Sequence, residues 1–215
     1  SDLGTEAAIK AVKREDLQAL WRTIFVPNNA ALVVAGNISG DELKTLAEKY
    51  FGAWKSGVLP ERKTSSPIST KAKLVLVDKP GAPQTAIRVA TLGPARTTPD
   101  YEKIQVMNAA LGGTFTSRIN NNLREEKGYS YGVYSGMLYQ RQSGTFAVRG
   151  SVRTDVTTPA LQEVFKEIKG ISANPPDAKE LSRAIGSQML SLPGQFDTGA
   201  ATAGAFASLF TNDFP

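Results

Sequence analysis

Thirteen residues, LREEKGYSYGVYS from Leu123 to Ser135, constrain this chain more than any other stretch. An apolar residue and a charged run at helical spacing meet Gly128, and a segment with three tyrosines in six residues follows. Glycine tolerates the left-handed conformation that reverses a chain after a helix, so the pattern predicts a helix end, a sharp turn and a strand start. Arg124 and Tyr131 are seven positions apart across that turn. Both side chains can then reach one space, a fixed cation beside a phenol donor, which suits a carbonyl oxygen gaining negative charge.

The remaining elements follow from periodicity. Leu17, Leu20, Trp21 and Ile24 behind Glu15 and Asp16 predict a helix over about 14–25. AALVVAG at 30–36 reads as a buried strand, and Ser39 with Glu42 forms a capping box. That box opens a helix whose Leu43, Leu46, Ala47, Tyr50, Phe51 and Trp54 form a core stripe. A change to Gly, Pro, Ser, Thr and Lys marks 58–72 as a linker. After it, strands at 73–79 and 84–92 flank a Pro80-Gly81 turn.

Further on, Thr98-Pro99 opens a helix that Gly112-Gly113 ends, and Thr116 to Glu126 forms another, with Ile119 and Leu123 inward. Strands over 130–140 and 144–153 make a hairpin around Gln142-Ser143-Gly144. Period-two alternation places Tyr129 and Tyr131 on one strand face and Tyr134 on the other. Helices then start at Thr158-Pro159, behind Asp177 with Glu180, and across GAATAGAFASLF. Hairpin strands with paired helices give an α+β fold, a mixed or antiparallel sheet covered by helices on one face. The ending at Phe214-Pro215, straight after a helix, reads as a cut.

Chemistry is narrowed by what the 215 residues lack. With no cysteine and no histidine there is no disulfide, no thiolate or imidazole metal ligand, and no Ser-His or Cys-His centre. No GxxxxGK[ST], GxGxxG after a strand, or GxSxG occurs. The net charge of +5 arises from 25 basic residues dispersed among 20 acidic ones, so no basic block points to nucleic acid. No apolar run reaches the roughly 20 residues of a membrane span. Glu125-Glu126 are adjacent on a helix and point about 100° apart, hence solvated charges rather than an acid/base pair. Gly112-Gly113 before a helix could hold an anion, but a helix break accounts for them more simply.

NNLREEKGYSYGVYS resembles the hallmark segment of the pitrilysin and insulin-degrading-enzyme family of zinc metallopeptidases, which includes mitochondrial processing peptidase. DLQALWRTIFVPNNAALVVAGNISGDELKTLAEKYFGAW is similar to the closing half of one homologous domain of that family, and residues from about 73 onward to the first part of the next. The resemblance implies two partial metallopeptidase-like domains: 1–57, the C-terminal half of an upstream domain, and 73–215, an Arg/Tyr-bearing domain truncated at its C-terminus. It implies a clam-like chamber in which another domain carries HxxEH and the zinc. Arg124 and Tyr131 fall on the family's Arg and Tyr, which bind the substrate carbonyl and stabilise the oxyanion, with Tyr129 and Tyr134 as substrate-binding residues. The strand at 84–92 is the implied edge for pairing with an extended peptide.

On this reading the chain holds no metal and is inactive alone, while zinc belongs to the complete enzyme. Its partners are a peptide substrate and an HxxEH domain or subunit, in a homo- or heterodimer, with a periplasmic location expected. The alternatives are a non-catalytic scaffold subunit derived from the same family, and an anion- or nucleic-acid-binding module.

Overall fold

The computed structural model describes residues 4–61 and 71–214, so most of the expected linker, 62–70, lies outside the described residues. The chain falls into two compact units, Ser1–Val75 and Leu76–Pro215.

The first unit carries helices α1 (Glu6–Ala11), α2 (Arg14–Ile24) and α3 (Gly40–Phe51). Their starts follow local hydrogen bonding. The Asp16 carboxylate accepts from the Lys13 N–H at 2.9 Å. At α3 the expected capping box is closed, Glu42 N–H donating to Ser39 Oγ at 3.2 Å and Ser39 N–H donating to Glu42 Oε2 at 3.0 Å. Two sequence expectations fail here. Residues 30–36 form no ladder, and Tyr50, Phe51 and Trp54 on the predicted core stripe are exposed. Both have one cause: a strand needs a neighbour for its N–H and C=O groups, and a helix stripe needs a surface to cover it. Among the described residues neither partner exists. The same correction applies to 73–79, which forms no ladder among the described residues, with Leu74 88% exposed.

The second unit is α+β. Strands β1 (Gln84–Gly93), β2 (Ser130–Tyr139) and β3 (Gly144–Arg153) form an antiparallel sheet in the order β1-β3-β2. The Pro80-Gly81 turn precedes β1, with Gly81 at φ 75°. Gln84 pairs with Arg153 and Gly93 with Gly144, so among the described residues β3 lies between two edge strands. One sheet face is packed: Ile87, Val133, Val148 and Val152 join Leu111, Ile119, Leu123, Ala160 and Val164 in a single cluster. The helical contributions come from the turn after α4 (Tyr101–Asn108), which carries Leu111, from α5 (Arg118–Asn120) and the turn after it, which carry Ile119 and Leu123, and from α6 (Thr157–Ala173). Helices α7 (Ala178–Ser191) and α8 (Gly199–Asn212) complete the unit.

Helices α4 and α5 do not run on as regular α-helix. Each widens into π turns, Ala109–Gly113 after α4 and Asn121–Glu126 after α5. Gly112-Gly113 does end the first, and packing explains why glycine is needed. A Cβ on Gly112 would stand 2.5 Å from Ser135 Oγ, and one on Gly113 would stand 2.6 Å from Asn108 Nδ2. At Gly112 helix and strand approach too closely for a side chain, and at Gly113 the helix's own Asn108 fills the space.

Arg118 fastens this helical layer. Its Nε and Nη2 donate to the two oxygens of Glu180 at 2.7 and 2.6 Å, and Nη1 donates to the Asn174 carbonyl at 2.8 Å. Hydrogen bonding from Arg118 holds the Glu180 carboxyl below its ordinary range. A depressed carboxyl stabilises the fold above its ordinary pKa, near 4.5, and that contribution disappears as pH falls through the folded value. Glu180→Gln is therefore expected to lower the melting temperature at pH 7. The gap to wild type should close as pH falls below about 4.5, which thermal unfolding from pH 7 to pH 3 measures.

Candidate functional site

Arg124 and Tyr131 reach the same cleft from opposite sides of the Gly128 turn. The cleft has a volume of about 370 Å³, and Gln84, Glu125, Tyr129, Ser130 and Arg153 also line it. Gly128 has φ 62°, the left-handed conformation that the sequence demanded of it. The Lys127 N–H donates to the Asn122 carbonyl at 3.0 Å and the Tyr129 N–H to the Leu123 carbonyl at 2.8 Å. These are the bonds of a glycine-terminated helix end, each one residue longer than in an α-helix because the last turns are π. The reversal thus hands the chain from Arg124 to β2 without leaving those peptide groups unpaired.

Arg124 is held from two directions. Its guanidinium lies 4.0 Å from the centre of the Phe115 ring, and Nη1 donates to the Glu125 carboxylate. A cation over an aromatic face keeps its charge while losing freedom of movement. Arginine offers five N–H donors, so one bond to Glu125 leaves others for a ligand in the cleft.

Tyr131 owes its position to an irregularity that the sequence reading missed. Ser130 pairs with Val152 but Val133 pairs with Gly150, so Tyr131 and Gly132 together face one residue of β3. That is a β-bulge, a device that re-aims a side chain. Tyr131 emerges 89% exposed, whereas Tyr129 is half-buried against the core. Tyr129 and Tyr131 both line the cleft, and it is between Tyr131 and Tyr134 that the bulge shifts the expected alternation, setting Tyr134 opposite Arg149 rather than on the other face. Tyr134 does not join them. It stands opposite Arg149, with its ring over Gly132, where a Cβ would come within 2.8 Å of it.

The bulge and the strand edge are secured by two buried asparagines. Asn120 Oδ1 accepts from the Val133 N–H at 2.9 Å while Nδ2 donates to the Thr114 carbonyl at 3.1 Å. Asn108 Nδ2 donates to the Ser135 carbonyl at 3.2 Å, and Ser135 Oγ donates to Asn108 Oδ1 at 2.6 Å. Neither asparagine stood out in the sequence. A polar residue on the inward side of an otherwise apolar helix was the available signal, and the run Asn120-Asn121-Asn122 obscured which one it was.

Glu125 and Glu126 are exposed, as expected of solvated charges. Among the described residues no three acidic side chains gather as metal ligands would, and the chain has neither histidine nor cysteine. Its own residues do not fit a catalytic zinc ion.

The second unit thus presents an antiparallel sheet covered by helices, with an arginine and a tyrosine lining one cleft. The profile of the family described as "Peptidase M16 inactive domain" matches residues 11–187, and the chain belongs to that family. It is 26% identical over 188 residues to an uncharacterized zinc protease of Mycobacterium leprae, covering 86% of this chain and 42% of that protein. The crystal structure of a peptidase M16 inactive domain from Pseudomonas fluorescens superposes with a TM-score of 0.87 at 26% identity, over 99% of this chain and 50% of that one. A protease from Helicobacter pylori shares the fold at 18% identity, with a TM-score of 0.90 over 98% of this chain and 52% of its own. The chain thus spans half or less of the first two proteins. Among the described residues no helix is long and apolar enough to cross a membrane.

Replacing Gly128 tests the turn that joins the two halves of the cleft. Gly128→Ala forces a side chain into the left-handed region and is expected to destabilise the protein by about 1–2 kcal/mol, measured by urea unfolding.

Proposed function

We propose that this chain is the substrate-binding, oxyanion-stabilising portion of a zinc-dependent metalloendopeptidase whose HxxEH site is carried by another domain or subunit. The observation that carries the reading is the convergence of Arg124 and Tyr131 on one cleft from two rigid supports, a helix end and a strand start. Hydrolysis of a peptide bond moves negative charge onto the carbonyl oxygen, and donors already fixed at that oxygen stabilise the transition state more than the ground state. Arg124 provides a permanent cation and Tyr131 a neutral O–H donor. Zinc bound at that HxxEH site would supply the activation of the attacking water, and Arg124 and Tyr131 of this chain would hold the carbonyl oxygen on the other side.

Tyr129, at the foot of the same cleft, contacts the substrate beside the scissile bond. Tyr134 stands further along β2 and contacts a more distant residue of an extended peptide. β1 is an edge strand, so its backbone can pair with such a peptide by adding a strand to the sheet. Without histidine, and with its own residues unfit for zinc, the chain alone binds but does not cleave.

The test uses the complete enzyme, this chain together with its HxxEH domain. Arg124→Ala and Tyr131→Phe are each expected to lower kcat for peptide cleavage by about 10²–10³-fold. An unchanged kcat for both would instead favour the scaffold reading, in which neither side chain meets a reacting substrate.

A further inference from the structure

We infer that Asn120 is a positioning residue for the reaction, holding the β2 bulge that delivers Tyr131 to the cleft. The inference rests on Tyr131 acting as an oxyanion donor and extends that reading to a residue which never touches substrate.

β2 is an edge strand, and at the bulge its ladder to β3 is interrupted. A bulge bends its strand, so the kink is set by whatever holds the residues on either side of it. Val133, the first residue paired again after the bulge, donates its N–H to the Asn120 side chain. Asn120 is 0% exposed and fully used, its amide nitrogen tied to the Thr114 carbonyl. One side chain therefore links the segment after α4, the helix leading to Arg124 and the strand bearing Tyr131. Arg124 is four residues after Asn120 on the same helical stretch, so the two proposed oxyanion donors are set relative to each other through this amide.

The opposite side of the bulge is fitted as closely. Gly150 lies across from Val133, and a Cβ there would stand 2.8 Å from the Gly132 carbonyl and from Val133 Cγ2. The bulge is thus clamped between a hydrogen bond from the helix side and a glycine on β3. Loss of the Asn120 acceptor leaves the Val133 N–H unpaired in the interior and frees the strand to relax its kink, which turns the Tyr131 hydroxyl away. An error of about 1 Å in a catalytic group is enough to lower a rate by roughly 10²-fold.

Asn108 provides an internal comparison. It is also buried, also an asparagine and also caps the β2 edge, but it does so at Ser135, beyond the bulge. Both asparagines support folding, and only Asn120 is placed to act through Tyr131.

The experiment is a double-mutant cycle in the complete enzyme, read as kcat and KM for a peptide substrate alongside the melting temperature. Asn120→Ala is expected to lower kcat by about 10–100-fold with KM changed less than about threefold. On the Tyr131→Phe background the same substitution should cost less than about threefold further, because the group it positions is already gone. Asn108→Ala, by contrast, should change kcat by the same factor in both backgrounds. If Asn120→Ala does not fold, Asn120→Ser, which keeps a polar group at the position but is too short to replace the amide, is taken through the same cycle. A cost for Asn120 substitution that is equal in both backgrounds overturns the positioning role and leaves the oxyanion reading intact. A Tyr131→Phe enzyme with unchanged kcat overturns both.

Discussion

Everything at this site depends on how the open edge of β2 is satisfied. An edge strand presents unpaired N–H and C=O groups, and once helices cover it those groups lose water as well. Here two asparagine side chains take the place of a neighbouring strand, Asn120 at Val133 and Asn108 at Ser135. The solution has consequences beyond stability. Because the partners are side chains on helices, β2 need not stay regular, and it accommodates a bulge where Tyr131 leaves the sheet. Because one of those helical stretches carries Arg124 in its last turns, strand and helix terminus are fixed in a common frame.

Closeness of approach is the second constraint, and glycine meets it. Gly112 lies against Ser135, and Gly150 lies against the bulge. Gly128 does a different task, supplying the left-handed turn that brings the chain from helix to strand. The layer above the sheet is then pinned by the Arg118 fork on Glu180, so Arg118 serves structure while Arg124, six residues later, keeps donors free toward the cleft. Two arginines flanking one helical stretch differ in role because one faces another helix and the other faces an opening.

Local patterns were legible wherever the causes were local. The capping boxes at Ser39 and Asp177, the hairpin over β2 and β3, and the left-handed Gly128 all arise from residues within a few positions of each other. Long-range pairing was not legible. AALVVAG at 30–36 and KLVLVDK at 73–79 have the composition of strands, yet among the described residues no neighbour pairs with either. The convergence of Arg124 and Tyr131 on one space could be read from the glycine between them. The bulge could not, since it depends on Asn120 and Gly150, residues distant in sequence whose types are common and whose roles appear only when helix, strand and sheet meet.

Among the described residues no acidic cluster gathers as metal ligands would, and the chain has neither histidine nor cysteine. The role proposed for Arg124 and Tyr131 is to hold the transition state more tightly than the resting peptide. The most direct measurement compares two ligands of the complete enzyme, a substrate-like peptide and a phosphinic analogue whose tetrahedral oxygens resemble the transition state. The account predicts that Tyr131→Phe weakens the analogue by about the factor it removes from kcat/KM while the peptide's affinity stays within about threefold. Equal weakening of both ligands, or of neither, would contradict it.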